Sequence, residues 1–164
     1  MQQRTELVEL FRGVVRLETD LWNRVDAEIK REHDVPLAWL EFLQTIDATE
    51  GCRVLDITRA LAITVGGASK IVDRLERAGL CRREQNPTDA RSNTISLTEA
   101  GATLLTEANT TFEATLADLI GSAVPAADLA QLTALIQRVR RHLAHAPEAT
   151  GDEPLVAASD RTAE

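Results

Sequence analysis

Apolar residues recur at Leu7, Leu10, Phe11, Val14, Leu17, Leu21, Trp22, Val25 and Ile29. Steps of three and four predict one long amphipathic helix. Its polar face alternates Glu and Arg, as a solvated helix face does. Such a helix carries more apolar surface than a small domain can cover, so pairing with a partner subunit is expected. Asp34-Val35-Pro36 restarts the chain, since Pro is tolerated in a first helical turn. Leu37, Leu40, Phe42, Leu43 and Ile46 then predict a shorter helix, which Thr49-Glu50-Gly51 breaks.

The period stays helical through the next two segments. Residues 55–62 predict a third helix packing Leu55, Ile57 and Leu61. Thr64 is a good N-cap for a fourth over Val65 to Ala78, with Gly79 in the expected C-terminal position. Val65, Ala68, Ile71, Val72 and Leu75 form the stripe expected to be buried. Gly66, Gly67, Ser69, Lys70, Asp73, Arg74 and Arg77 occupy the opposite face. The pattern then changes to short strands, Leu80 to Glu84 and Thr94 to Leu97, with Ile95 and Leu97 inward. Asn86-Pro87-Thr88-Asp89 supplies the turn between them. Thr98 can cap a helix running to about Ile120. Gly121-Ser122 interrupts it, and Pro125 opens a last helix through Leu143. From Pro147 onward the small and acidic residues lack any period, which predicts a disordered tail.

Composition refines this all-helical picture. Two Trp, three Phe and no Tyr leave Leu, Ala, Val and Ile to fill the core of a 164-residue chain. No apolar run of about 18 residues could span a bilayer, and no signal peptide is recognisable. No membrane partner is expected, and Asn109-Thr110-Thr111 reads as a chance sequon. Cys52 and Cys81 do not make a disulfide framework, and a reducing cytoplasm is the expected compartment.

The net charge of −8 argues, taken alone, against a nucleic-acid partner. Its distribution argues for one. Residues 53–93 hold eight basic groups against five acidic ones, leaving 10 basic and 21 acidic residues elsewhere. A basic segment in an acidic chain provides the local positive potential that phosphates reward. Helix, turn, helix and a hairpin with an arginine beyond the turn are the parts of a winged helix-turn-helix.

Two runs carry a family resemblance. Asn86-Pro87-Thr88-Asp89-Ala90-Arg91-Ser92, followed by Leu97-Thr98-Glu99-Ala100-Gly101, resembles the wing signature of the multiple antibiotic resistance regulator (MarR) family. Val72-Asp73-Arg74-Leu75-Glu76-Arg77-Ala78-Gly79-Leu80 resembles the end of its recognition helix. The order of helices agrees from about residue 5 to 145. The fold class expected is mainly α with a small β-hairpin wing. Residues 36–97 would be the winged helix-turn-helix, 1–35 and 98–146 a helical dimerisation region, and 147–164 the tail.

The resemblance implies a homodimer on a pseudo-palindromic operator in double-stranded DNA, with half-sites about one helical turn, ~34 Å, apart. It also implies a repressor released by a small aromatic or anionic ligand. Ser69, Lys70 and Arg74 are the candidates for the major groove, Lys70 donating to guanine edges, Ser69 to either base or phosphate and Arg74 gripping phosphate, with Arg77 also in the DNA-binding set. Gly66 and Gly67 would bring the helix start close to the DNA backbone with amides toward phosphate, with Thr64 at the cap. The alternative is tight packing of the glycines against the preceding helix. Asp73 is expected to pair with Arg77 one turn on. Arg91 suits insertion into a narrow, A·T-rich minor groove, with Asp89 orienting it or capping the turn and Ser92 beside it. Arg82 and Arg83 flank the hairpin, and one of them should meet phosphate.

Other chemistry is weakly represented. Trp22 and Trp39 could wall a ligand pocket, against plain core packing. His142-x-x-His145 lacks an acidic or Cys partner, so no metal is expected. No catalytic constellation emerges, and Val65 to Lys70 lacks the spacing of a phosphate loop. Neither an enzyme nor a cofactor is expected. Two alternatives stay open: a winged-helix module that binds protein, and a cysteine-based redox-sensing regulator.

Overall fold

A computed structural model describes residues 2–86 and 89–145, and the side chains of residues 3–85 and 93–145. The element order is α1 (Gln2–His33), α2 (Leu37–Ala48), α3 (Val54–Leu61), α4 (Val65–Arg77), β1 (Cys81–Asn86), β2 (Asp89–Leu97), α5 (Glu99–Leu116), a π-helical turn (Ala117–Gly121) and α6 (Ala126–His145). The expected tail lies outside the described residues.

One core joins α1, α2 and α5 to the segment from α3 to β2. Phe42, Leu43 and Ile46 of α2 meet Val25 and Ile29 of α1, Ile57 of α3, Val72 and Leu75 of α4, and Leu105 and Ala108 of α5. The stripe on α1 is continuous in sequence but divided in burial. Val25 is 2 % exposed and Ile29 is 0 %, whereas Leu10 is 62 % and Phe11 69 % exposed. Helix α6 buries none of its residues against its own chain.

Glycines mark two tight points. Gly79 ends the α4 segment at φ +72°. Gly101, in the first turn of α5, is buried, and a Cβ there would run into the backbone carbonyl of Leu80. The close approach is organised by Thr98. Its N–H donates to Leu80 O at 3.1 Å, its hydroxyl donates to Gly79 O at 2.6 Å, and the same oxygen accepts from Gly101 N at 3.0 Å. The cap that starts α5 thereby clamps α5 onto the α4–β1 link.

Strands β1 and β2 pair antiparallel, with Cys81 opposite Leu97 and Arg83 opposite Ile95. The second strand extends to Asp89 rather than starting at Thr94, with an irregularity where Gln85–Asn86 meets Asn93 and Asp89. Ile95 N–H also donates to Cys52 O at 2.7 Å, tying the hairpin to the start of α3.

Two expected core positions turn outward. Leu55 and Val65 are both 52 % exposed. Each stands in the first turn of a short helix whose fully buried residues lie further along: Ile57 on α3, and Ala68, Val72 and Leu75 on α4. Between the two helices Ala62 takes the left-handed conformation at φ 54°. A Cβ there costs about 1 kcal/mol relative to glycine, so Ala62→Gly should raise the thermal melting midpoint by a few degrees.

Candidate nucleic-acid interface

Helix α4 begins as its residue types dictate. Thr64 accepts from Gly67 N–H at 3.1 Å through its hydroxyl oxygen, satisfying one orphan donor of the first turn. The Gly67 amide is therefore committed to the cap and does not point at a phosphate, which corrects the expectation for that residue. Thr64 itself is exposed and keeps its hydroxyl proton to donate. A Cβ on Gly66 would meet only open space, so packing against α3 does not require that glycine.

The outer face of α4 is polar and open. Lys70, Arg74 and Arg77 are exposed and Ser69 is half-buried. Lys70 and Arg74 form no ion pair among the described residues. Arg77 does not reach the Asp73 carboxylate as expected. Its Nε donates to the Asp73 backbone carbonyl at 3.1 Å.

Asp73 is instead held by Arg83. The Arg83 guanidinium lies 2.5 Å from Asp73 Oδ1 and 2.5 Å from Glu76 Oε2, and its backbone N–H donates to Glu76 Oε1 at 3.0 Å. The side chain is only 23 % exposed. Arg83 is thus a strut between β1 and α4, not a free phosphate contact, and it leaves the set of candidate DNA-binding residues. Strand alternation explains this. Cys81 faces α4, with its Sγ 3.8 Å from Val72 O, and Arg83 two residues on shares that side. Arg82 points away, 61 % exposed and 2.6 Å from Glu84. Exposed pairs of that kind are weak, about 0–1 kcal/mol, so Arg82 stays available for phosphate.

Asp89, Arg91 and Ser92 stand on β2, but their side chains lie outside the described residues, as do Pro87 and Thr88. Their expected roles rest on the sequence alone.

The remaining candidates resolve differently. Trp22 and Trp39 are both half-buried and pack against the common core. His145 Nδ1 approaches Arg141 O at 2.7 Å, a contact within its own helix. No group of three metal-ligating residues occurs among the described residues. Asn109 of the sequon accepts from Gln44 Nε2 at 2.7 Å, between α5 and α2.

Cys52 and Cys81 are buried, 0 % and 2 % exposed. Desolvation first, then the neighbouring carboxylates Asp56 and Glu76, pushes each thiol up to about 11. Protonated, buried thiols are poor nucleophiles, which counts against redox sensing. The native protein should resist alkylation by iodoacetamide at pH 8 and take up two equivalents once unfolded in guanidinium. Because the folded state holds these protons more tightly, stability should fall as pH rises from about 9 to about 11, where only the unfolded thiols ionise.

The interface so assembled comprises a capped helix with an open basic face, flanked by a hairpin strutted to it. The sequence profile of the MarR family matches residues 37–92, the segment from α2 into β2. Over residues 37–92 the chain is therefore similar to the MarR family. An uncharacterized HTH-type transcriptional regulator of Bacillus cereus is 30 % identical over 90 residues, which is 55 % of this chain and 59 % of that protein. The matched stretch therefore spans less than two thirds of the curated relatives' length. The fold also agrees with solved structures. A MarR family transcriptional regulator from Streptomyces coelicolor, in complex with DNA, superposes with TM-score 0.78 at 21 % identity, covering 88 % of this chain and 90 % of the other. A cysteine-to-serine variant of MarR from E. coli, complexed with operator DNA, gives 0.74 at 21 % identity, covering 82 % and 95 %. The order of helices with a two-stranded antiparallel hairpin is that of a MarR-like winged helix-turn-helix fold.

Proposed function

We propose that the protein is a homodimeric, sequence-specific DNA-binding transcription regulator. The observation that carries the reading is the outer face of α4, where Lys70, Arg74 and Arg77 stand exposed in a chain whose remainder is strongly acidic. Helix α4 would lie in the major groove, Ser69 and Lys70 toward base edges and Arg74, Arg77 and Arg82 toward phosphates. The hairpin would carry Arg91 into the adjacent minor groove, with Asp89 and Ser92 supporting it.

Pairing of two copies is supported by the apolar residues their own chain leaves uncovered. Leu7, Leu10, Phe11 and Val14 on α1 are more than half exposed, and Ile136, Val139 and Leu143 on α6 are at least half exposed. An exposed apolar surface of this extent on two helices is the signature of a protein interface. Dimerisation through the helices outside residues 36–97 would set the distance between two copies of α4.

Repression fits a dimer that occupies its operator and excludes other proteins from it. Release by a small aromatic or anionic ligand is the control that the family resemblance favours, with Trp22 and Trp39 offered as apolar walls where α1 and α2 meet the core.

Fluorescence-anisotropy titration of the full chain with labelled duplex DNA tests the reading. Affinity should fall steeply between 50 and 200 mM salt, by about 10³-fold for six phosphate contacts. Arg91→Ala should weaken binding at least tenfold and leave the dimer intact by size-exclusion chromatography. A protein-interaction module would show no salt-dependent DNA binding, and equal affinity of Arg91→Ala and the parent would remove the wing from the interface.

A further inference from the structure

Outside α1 and α6, Leu55 and Val65 are the exposed large apolar residues among the described ones, and both belong to the helix-turn-helix. Val65 is the more telling. It opens α4, the helix with the exposed basic face, and is 52 % exposed although its branched side chain favours neither a helix nor contact with water. The glycine that follows leaves open space beside it, so no neighbouring Cβ shields it at residue 66. Ser69 lies one turn further on the same side, half-buried and small. At about 100° per residue Val65 lies beside Ser69 and well around α4 from Lys70 and Arg74, and an exposed apolar side chain at the leading end of a major-groove helix matches one feature there, the C5-methyl group of thymine.

We propose that Val65 is a specificity-determining residue that reads a thymine methyl group in each operator half-site. The inference rests on α4 being the major-groove reader. Arg74 attracts the backbone whatever the sequence, and Lys70 and Ser69 form hydrogen bonds to polar atoms of base edges, so none of the three senses a methyl group. The two methyl groups of Val65 against one thymine methyl would exclude water from both. They would favour thymine over cytosine, which lacks a methyl group at that edge.

The test starts with the full chain and a random duplex library, enriching and sequencing the bound fraction. In the enriched duplex, each thymine is then replaced in turn by deoxyuridine, which removes the methyl group and leaves base pairing unchanged. One thymine per half-site should show a penalty of about fourfold on replacement, the effect of losing one buried methyl-sized group. Val65→Ala should bind the parent duplex more weakly by a comparable factor and lose the penalty at that thymine alone. Circular dichroism of Val65→Ala should match the parent, because the side chain is outside the core. A penalty that persists in Val65→Ala would assign the methyl to another residue, and no penalty in the parent protein would overturn the inference outright. Failure to enrich any duplex would instead overturn the DNA-binding reading beneath it.

Discussion

Gly101→Ala is expected to destabilise the protein by about 3 kcal/mol, at the upper end of overpacking substitutions. The reason is local and severe. The added Cβ would fall inside the Leu80 carbonyl group, and neither partner is a flexible side-chain end that can swing away. The first turn of α5 would have to lift off the α4–β1 link, breaking the Thr98 bonds to Gly79 O and Leu80 O. A thermal melt should show a midpoint lower by roughly 10 °C for a chain of this length. Because the same link fixes where the hairpin leaves α4, DNA affinity should fall as well, even at temperatures where the variant is folded. An unchanged melt would mean that α5 can shift at little cost and that the clamp is not structural.

The second large effect concerns Arg83. Arg83→Ala leaves Asp73 and Glu76 facing each other's charge without the cation that now holds both. Fully buried pairs broken this way cost about 3–5 kcal/mol and exposed ones about 0–1. With the guanidinium 23 % exposed and its partners 54 % and 38 % exposed, about 2 kcal/mol is expected. DNA affinity should drop at least tenfold, since two freed carboxylates would stand on or beside the face that meets phosphates and the hairpin would lose its anchor. Arg83→Lys should recover little. An ammonium is a point charge and cannot span two carboxylates as a planar guanidinium does. The outcome that would restore Arg83 to the DNA is specific: an unchanged melt together with a salt slope reduced by about one.

The contrast between these two residues shows what the sequence made legible. Gly101 is visible as part of a Leu-Thr-x-x-Gly run, and Thr98 as a cap, because both act within a turn of chain. The cap at Thr64 and the glycine at residue 79 are legible for the same reason, and the winged fold follows from their order. Arg83 is different. Helical spacing suggests Asp73 with Arg77, and only the packing of β1 across α4 brings Arg83 to that carboxylate. A signal existed, since alternation along β1 puts Arg83 on the side of the buried Cys81. Reading it requires knowing that this side faces α4.

Leu55 and Val65 illustrate a second limit. Apolar periodicity assigns a residue to a stripe, but a stripe on a helix of 8 or 13 residues need not be covered along its whole length. Which end stays open depends on where the neighbouring helix stops. The same reasoning explains α1, whose single continuous stripe serves the core at Val25 and Ile29 and is exposed from Leu7 to Leu17. Periodicity reports that a surface is to be buried and is silent about whether its own chain or another copy buries it.

In the proposed dimer the helices around α4 hold its two copies at a fixed separation. Hydroxyl-radical footprinting of the full chain on an enriched duplex tests this most directly. The predicted pattern is two protected patches related by a two-fold axis, with centres about 10 base pairs apart and outer protections in the flanking minor grooves. A single patch, or two patches whose separation varies from one bound sequence to another, would contradict it.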